Sequence, residues 1–149
     1  MEKYGGVWYV ISRDWWYFFG TDCTTATYTP REDGMVTVQN DTYNFLIGDF
    51  SISGSAIASD TGDASLNVSL SDRVPSASDE PNYTVLSTDY ETYLVVYSCN
   101  KGDSWYANDN FWVFSRTPTL SDDKMLEIIA IAEERLPSYD FFYNQFTIR

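Results

Sequence analysis

Eight segments of alternating apolar and polar residues follow one another at short intervals, with turn-forming residues between many of them. Strands are expected at about 7–13, 23–29, 35–40, 45–58, 64–71, 83–88, 92–99 and 110–116. The punctuation is Pro30 to Gly34, Asp60-Thr61-Gly62-Asp63, the polar stretch from Ser71 to Pro81, and Asn100-Lys101-Gly102-Asp103. Such spacing points to an antiparallel meander, and eight strands suit a closed up-and-down barrel.

One segment has a different period. Met125, Leu126, Ile128, Ile129, Ala132 and Leu136 fall at helical spacing, and Pro137 follows them. Ser121 or Thr119 is the expected N-cap, with acidic residues in the first turn where the helix dipole favours them. The helix should span roughly Ser121 to Arg135 and lie against the barrel wall, its apolar stripe serving as packing. The tail from Tyr139 to Ile148 is extended again and is expected to add a short ninth strand beside the first. The expected fold class is thus all-β: an eight-stranded antiparallel up-and-down β-barrel with one C-terminal α-helix packed outside, in a single domain over residues 1–149.

The chain of 149 residues carries a formal charge of −13 and no histidine. That removes histidine-based metal sites and Ser-His or Cys-His catalysis, and it argues against nucleic acid, whose phosphates need Lys and Arg. No metal and no catalytic cofactor is expected. No apolar run approaches the roughly 18 residues of a membrane helix and no charged-then-apolar leader precedes the first strand, so the chain is expected to be soluble. Aromatic residues make up 17% of the chain, enough that some are expected to line a cavity or meet a partner.

Gly6-Val7-Trp8-Tyr9 stands on the first strand, Thr88-Asp89-Tyr90 at a strand-to-strand turn, and Phe114-Ser115-Arg116 at the end of the eighth strand. Together they resemble the three signature regions of the lipocalins. The likeness extends through Cys23-Thr24-Thr25-Ala26-Thr27-Tyr28, Val85-Leu86-Ser87, Tyr97-Ser98-Cys99 and Thr117-Pro118, so that the whole chain is similar to the apolipoprotein D, bilin-binding protein and crustacyanin branch. It implies a calyx whose closed end is sealed by the Trp8 indole under the Arg116 guanidinium, a cation–π contact of roughly 0.5–2 kcal/mol. Asp89 is expected to cap backbone N–H groups at its turn. The resemblance also implies that Cys23 and Cys99 pair with cysteines elsewhere, yet residues such as Thr147 and Ile148 stand where one partner would be. Two free thiols are therefore expected.

Cavity residues follow from the two-residue period of barrel strands. Trp112 shares the parity of Phe114 and Arg116, with Asn110 nearer the mouth. Tyr83 and Val85 share a face. Leu66, Val68 and Leu70 form an apolar inner wall against a polar outer face of Asn67 and Ser69, and Leu94 and Val96 join it. The resemblance places ligand contacts at Tyr28, Tyr83 and Trp112. The faces of the strand with Ile52 and Ile57 are not assignable from alternation. Trp15, Trp16, Tyr17, Phe18 and Phe19 occupy the first long loop, which in this family hangs over the mouth; either a hydrophobic lid or a membrane or oligomer contact would explain them.

The family implies a secreted, extracellular, non-enzymatic carrier of a small hydrophobic molecule, with retinoids, sterols and fatty acids in its range. Aromatic faces at Tyr28, Tyr83 and Trp112 suit a pigment, either a carotenoid or a biliverdin-type bilin. A bilin's two propionates would have to meet Arg13, Arg31, Arg73 or Lys101 near the mouth, which tilts the expectation toward the neutral carotenoid. Two other readings stay open: a thiol enzyme of the prostaglandin D synthase kind using Cys23, and an oligomeric assembly subunit whose contact is the aromatic loop 15–19. The triplets at Asn40, Asn67 and Asn82 have the form of glycosylation acceptors and fit secretion.

Overall fold

The computed structural model describes residues 2–14, 20–100, 108–141 and 144–146. A 3-10 turn, Glu2–Tyr4, leads into β1 (Gly6–Asp14), β2 (Thr21–Pro30), β3 (Val36–Asn44), β4 (Gly48–Ala58), β5 (Ser65–Ser69), β6 (Tyr83–Thr88), β7 (Tyr93–Asn100) and β8 (Asn108–Ser115). Helix α1 (Asp122–Arg135) and β9 (Asn144–Phe146) follow. Each strand from β2 to β7 pairs antiparallel with the next, and β1 pairs with both β8 and β2, so the sheet closes on itself. β9 lies outside this ring against Ser12–Asp14 of β1. The aromatic run Trp15 to Phe19 lies outside the described residues.

Two cores share the wall between β1, β7 and β8. Inside the barrel, Trp8, Val10, Ala26, Val36, Val38, Ala56, Leu66, Val85, Leu94 and Val96 pack with Tyr4, Tyr28, Tyr83 and Phe114. Outside it, Ile11, Tyr93, Val95, Phe111 and Val113 pack on Ile128 and Ala132 of α1. This is why Tyr93-Leu94-Val95-Val96 is a continuous apolar run: the strand is buried on both faces. Ser121 caps the helix, its side chain accepting the Lys124 N–H at 3.3 Å.

Boundaries shift where side chains end strands. The segment 45–47, read as strand from its apolar residues, is a turn: Asn44 Oδ1 accepts from the N–H groups of Leu46 at 2.9 Å and Ile47 at 3.3 Å. On β4 the register turns Ala56, Gly54 and Ile52 inward. The inward set is mostly small, so no apolar alternation shows in the sequence. A Cβ on Gly54 would stand 1.9 Å from the Ser69 carbonyl oxygen, so only glycine lets the end of β5 cross there.

The first long-range contact is the seal. Trp8 is fully buried, its Nε1–H donates to the Tyr4 carbonyl at 2.9 Å, and the Arg116 guanidinium lies 3.6 Å from the centroid of its ring system. Arg116 also donates to the carbonyls of Val7, Lys3 and Tyr90. Gly6 has φ +94°, and a Cβ there would come within 3.2 Å of Arg116 Nη1, so glycine serves both the backbone turn and the cation above it. Asp89 accepts the N–H groups of Glu91, Thr92 and Tyr93 and the Thr92 hydroxyl. Partial burial alone would raise its pKa, but these hydrogen bonds outweigh burial and bring it down to about 2.

Trp8→Ala should destabilise the fold by about 3–5 kcal/mol in denaturant unfolding; a loss under about 1 kcal/mol would contradict a buried seal. Because the folded pKa of Asp89 lies below its ordinary 3.8, its contribution to stability is present above that value and lost as pH falls toward 2. The stability gap between wild type and Asp89→Asn should therefore shrink between pH 4 and pH 2, and a gap independent of pH would refute the cap. Cys23 and Cys99 are unbridged, on strands that are not neighbours, so thiol titration under denaturing, non-reducing conditions should return two thiols per chain; a monomer returning none would contradict this.

Candidate functional site

The strand directions set the two ends of the barrel. β1 begins at the Trp8 seal and runs toward the mouth, so the turns β1–β2, β3–β4, β5–β6 and β7–β8 all lie at the open end. A cavity of about 600 Å³ opens there. Its wall includes Val10, Thr24, Tyr28, Val38, Asn40, Val68, Tyr83, Ser98, Trp112 and Phe114 from the strands, and Leu70, Ser71, Arg73, Pro75, Asp79, Glu80 and Asn82 from the β5–β6 connection.

Aromatic side chains shape the interior. Tyr28 and Tyr83 reach from opposite walls and hydrogen-bond through their hydroxyls at 3.0 Å. Burial pushes both phenols above their ordinary range, so both stay neutral hydrogen-bonding groups. Trp112 stacks on Phe114 with centroids 6.0 Å apart and an interplanar angle of 14°, while its Nε1–H donates to Ser98 Oγ at 3.3 Å.

The structure puts Tyr28, Tyr83, Trp112, Val68 and Leu70 on the cavity wall. It revises the reading of Leu66, Val85 and Val96: each lies one inward position deeper than Val68, Tyr83 and Ser98 on its strand, in solid core. Parity gives the face of a strand but not the depth at which the barrel fills. Asn110 is buried, pairs in register with Ser98, and is absent from the wall; its Nδ2 has no hydrogen-bond partner among the described residues. Trp8 and Arg116 are the closure. Trp15, Trp16, Phe18, Phe19 and Lys101 lie outside the described residues.

Two seams interrupt the backbone ladder at the mouth. β1 and β2 part after Tyr9↔Thr25, and there Arg13, 5% exposed, donates to Thr24 Oγ1 at 2.8 Å and to the Thr21 carbonyl. A register shift between Val10 and Ser12 pairs Arg13 with Trp112 and so turns it to the inner side. Burial lowers its pKa, and Asp22 acts in the other direction. β5 and β6 pair only at Ser65↔Thr84 and Leu66↔Tyr83; beyond them the Asn82 amide bonds both backbone groups of Val68, at 2.9 and 2.8 Å. Neither stitch has a signature in sequence spacing. Nor does Asp14, which accepts the Phe111 N–H at 2.8 Å and the Tyr139 hydroxyl and so ties the segment after α1 to the barrel.

Several expectations are corrected here. Arg31 lies at the closed end, after β2, paired with Asp33. Cys23 is exposed at the β2 register shift and is not on the cavity wall, so its thiol is not presented to a bound molecule. Asn67 is not on a solvated outer face: its amide is buried against the 76–79 turn. The Asn67 nitrogen, buried and donating to the Ser76 and Asp79 carbonyls, is not free to carry a glycan in this fold. At the rim, Phe45, Leu46 and Ile47 are 59%, 77% and 73% exposed.

Comparison with known proteins agrees with this geometry. The chain matches the family model for the lipocalin-like domain over residues 1–143. It is 33% identical to apolipoprotein D of Cavia porcellus over 124 residues, covering 83% of this chain and 64% of that protein. It is 32% identical to outer membrane lipoprotein Blc of Citrobacter freundii over 134 residues, covering 88% and 70%. The chain thus spans under two thirds of the length of apolipoprotein D. Among solved structures, lobster apocrustacyanin A1 shares the fold with a TM-score of 0.77 at 20% identity, over 99% of this chain and 78% of that one. Insecticyanin from the tobacco hornworm Manduca sexta gives 0.76 at 16% identity, over 99% and 79%. The motif likeness, the closed barrel and the family match over nearly the whole length converge: the chain belongs to the lipocalin family.

Proposed function

We propose that this lipocalin is a non-enzymatic carrier that holds one elongated apolar chromophore, non-covalently, in the mouth half of its barrel. The observation that carries the reading is the cavity of about 600 Å³ bounded by Tyr28, Tyr83 and the stacked Trp112–Phe114 pair. Its size is that of a small-molecule site, and ring faces of this kind stack on a conjugated chain. Apocrustacyanin and insecticyanin, similar in fold, lend support by analogy only.

The electrostatics favour a neutral chromophore such as a carotenoid over a bilin. Asp79 and Glu80 line the entrance, and the cation beside them, Arg73, pairs with Asp79 at 3.0 Å. Two propionates entering there would meet carboxylates. An extracellular setting belongs to the same reading, and so does assembly with further chains through the mouth loops. The thiol-enzyme alternative finds no support in the placement of Cys23.

Titration with a keto-carotenoid should shift its absorbance and quench tryptophan fluorescence at one ligand per chain, with biliverdin binding more weakly. Tyr28→Ala, Tyr83→Ala or Trp112→Ala should each weaken binding about tenfold. If all three variants bind like wild type, the cavity assignment is wrong; if neither pigment binds, the pigment reading falls.

A further inference from the structure

The hairpin of β3 and β4 ends in an apolar tip. The two strands pair without a break from Val36↔Ala56 to Asn44↔Gly48, which leaves only Phe45, Leu46 and Ile47 in the turn. That turn is held in place. Asn44 Oδ1 accepts the N–H groups of Leu46 and Ile47, and the Phe45 N–H donates to the Gly20 carbonyl at 3.2 Å. The Phe45 ring lies so close over Gly20 that a Cβ there would stand 2.4 Å from its Cε1. Gly48, at φ +82°, closes the turn, and a Cβ on it would meet nothing within 4 Å, so the tip stands clear of the barrel. The hairpin thus orders three consecutive apolar side chains and leaves them exposed, an unfavourable arrangement unless something apolar covers them.

Shape, area and charge select the cover. Successive residues of a tight turn point in different directions, so a flat protein surface cannot meet all three, whereas fluid hydrocarbon can. Together they expose roughly 400 Å², about half of what each partner of a standard protein interface buries. The base of the tip is acidic: in the register of β2, β3 and β4, Asp22, Tyr43 and Asp49 stand side by side just below the turn, with Tyr43 and Asp49 exposed. Arg13, which acts on Asp22, is itself buried. A net charge of −13 adds to the repulsion of an anionic lipid surface. A choline headgroup carries its ammonium outward, where carboxylates and a phenol ring attract it. Tyrosine is also a side chain suited to the headgroup layer, one end apolar and the other wet.

We propose that the 45–47 tip docks this lipocalin on a phosphatidylcholine membrane. Leu46 and Ile47 enter the acyl chains, and Asp22, Tyr43 and Asp49 lie at headgroup level. The cavity opens at the same end of the barrel, so docking turns the mouth toward the lipid and shortens the path of an apolar ligand through water. The docking stands whatever the cavity holds.

Flotation with phosphatidylcholine vesicles tests this. Wild type should float with the vesicles, little changed by salt, and less well when phosphatidylserine is mixed in. Leu46→Asp combined with Ile47→Asp should lower the affinity for vesicles at least about tenfold. In Leu46→Trp the added emission should shift to the blue with vesicles and be quenched by brominated acyl chains. Leu126→Trp, also exposed but on α1, should do neither. The wild-type and tryptophan readings decide even where the double aspartate variant does not fold. Wild type that does not float, flotation that survives in the folded double variant, or a preference for phosphatidylserine would overturn the docking. A concentration-dependent dimer broken by Leu46→Asp, in a protein that ignores vesicles, would overturn it too and give the tip to a second copy. Each of these results leaves the carrier reading to the pigment titration in solution.

Discussion

The Arg116 guanidinium lying over the Trp8 indole is the contact on which the rest of the barrel depends. A barrel that keeps part of its interior open gives up packing there and must recover order at one end. Trp8 fills that end, and Arg116 joins it to three separate carbonyls, two next to the first strand's start and one in the β6–β7 turn. Desolvation lowers the Arg116 pKa without neutralising it, so the cation remains to face the ring. The chain's beginning and the end of its eighth strand are thereby closed on each other before any ligand is considered.

From that seal outward, the order of the interior changes by degrees. Leu94, Val96, Val85 and Leu66 form solid core above the indole, then the tyrosine pair spans the barrel, and then the space opens. At the mouth the ladder itself gives way, and single side chains hold the wall: Arg13 between β1 and β2, Asn82 between β5 and β6. The second seam lets the 70–82 segment become part of the cavity wall, which brings Arg73, Asp79 and Glu80 to an otherwise uncharged site. Function and reduced regularity coincide at this end because a wall made wholly of backbone ladder leaves no room for chemistry.

What was legible in the sequence follows the same gradient. Strand order, the outer helix, its Ser121 cap and the seal could be read because period, capping residues and the Gly6-x-Trp8 and Arg116 positions act locally or recur as motifs. The inward face of β8 was legible from Phe114, Trp112 and Asn110. Depth was not: alternation treats Val68 and Leu66 alike, although one borders space and the other borders Trp8's cluster. The stitches were hidden for another reason. Arg13 turns inward only through a register shift, Asn82 acts as a backbone surrogate, and Asn67 reads as an outer polar residue until the 76–79 turn folds over it.

The central claim is that the seal and the site are separate regions of one barrel, and the five tryptophan indole N–H signals in a nitrogen–proton correlation spectrum test it most directly. On adding an apolar chromophore to saturation, the Trp112 signal should move, because its indole borders the cavity and donates to Ser98. The Trp8 signal, held to the Tyr4 carbonyl beneath Arg116, should stay in place and exchange slowly with solvent in both states. A Trp8 signal that shifts with ligand while Trp112 remains still would contradict the account.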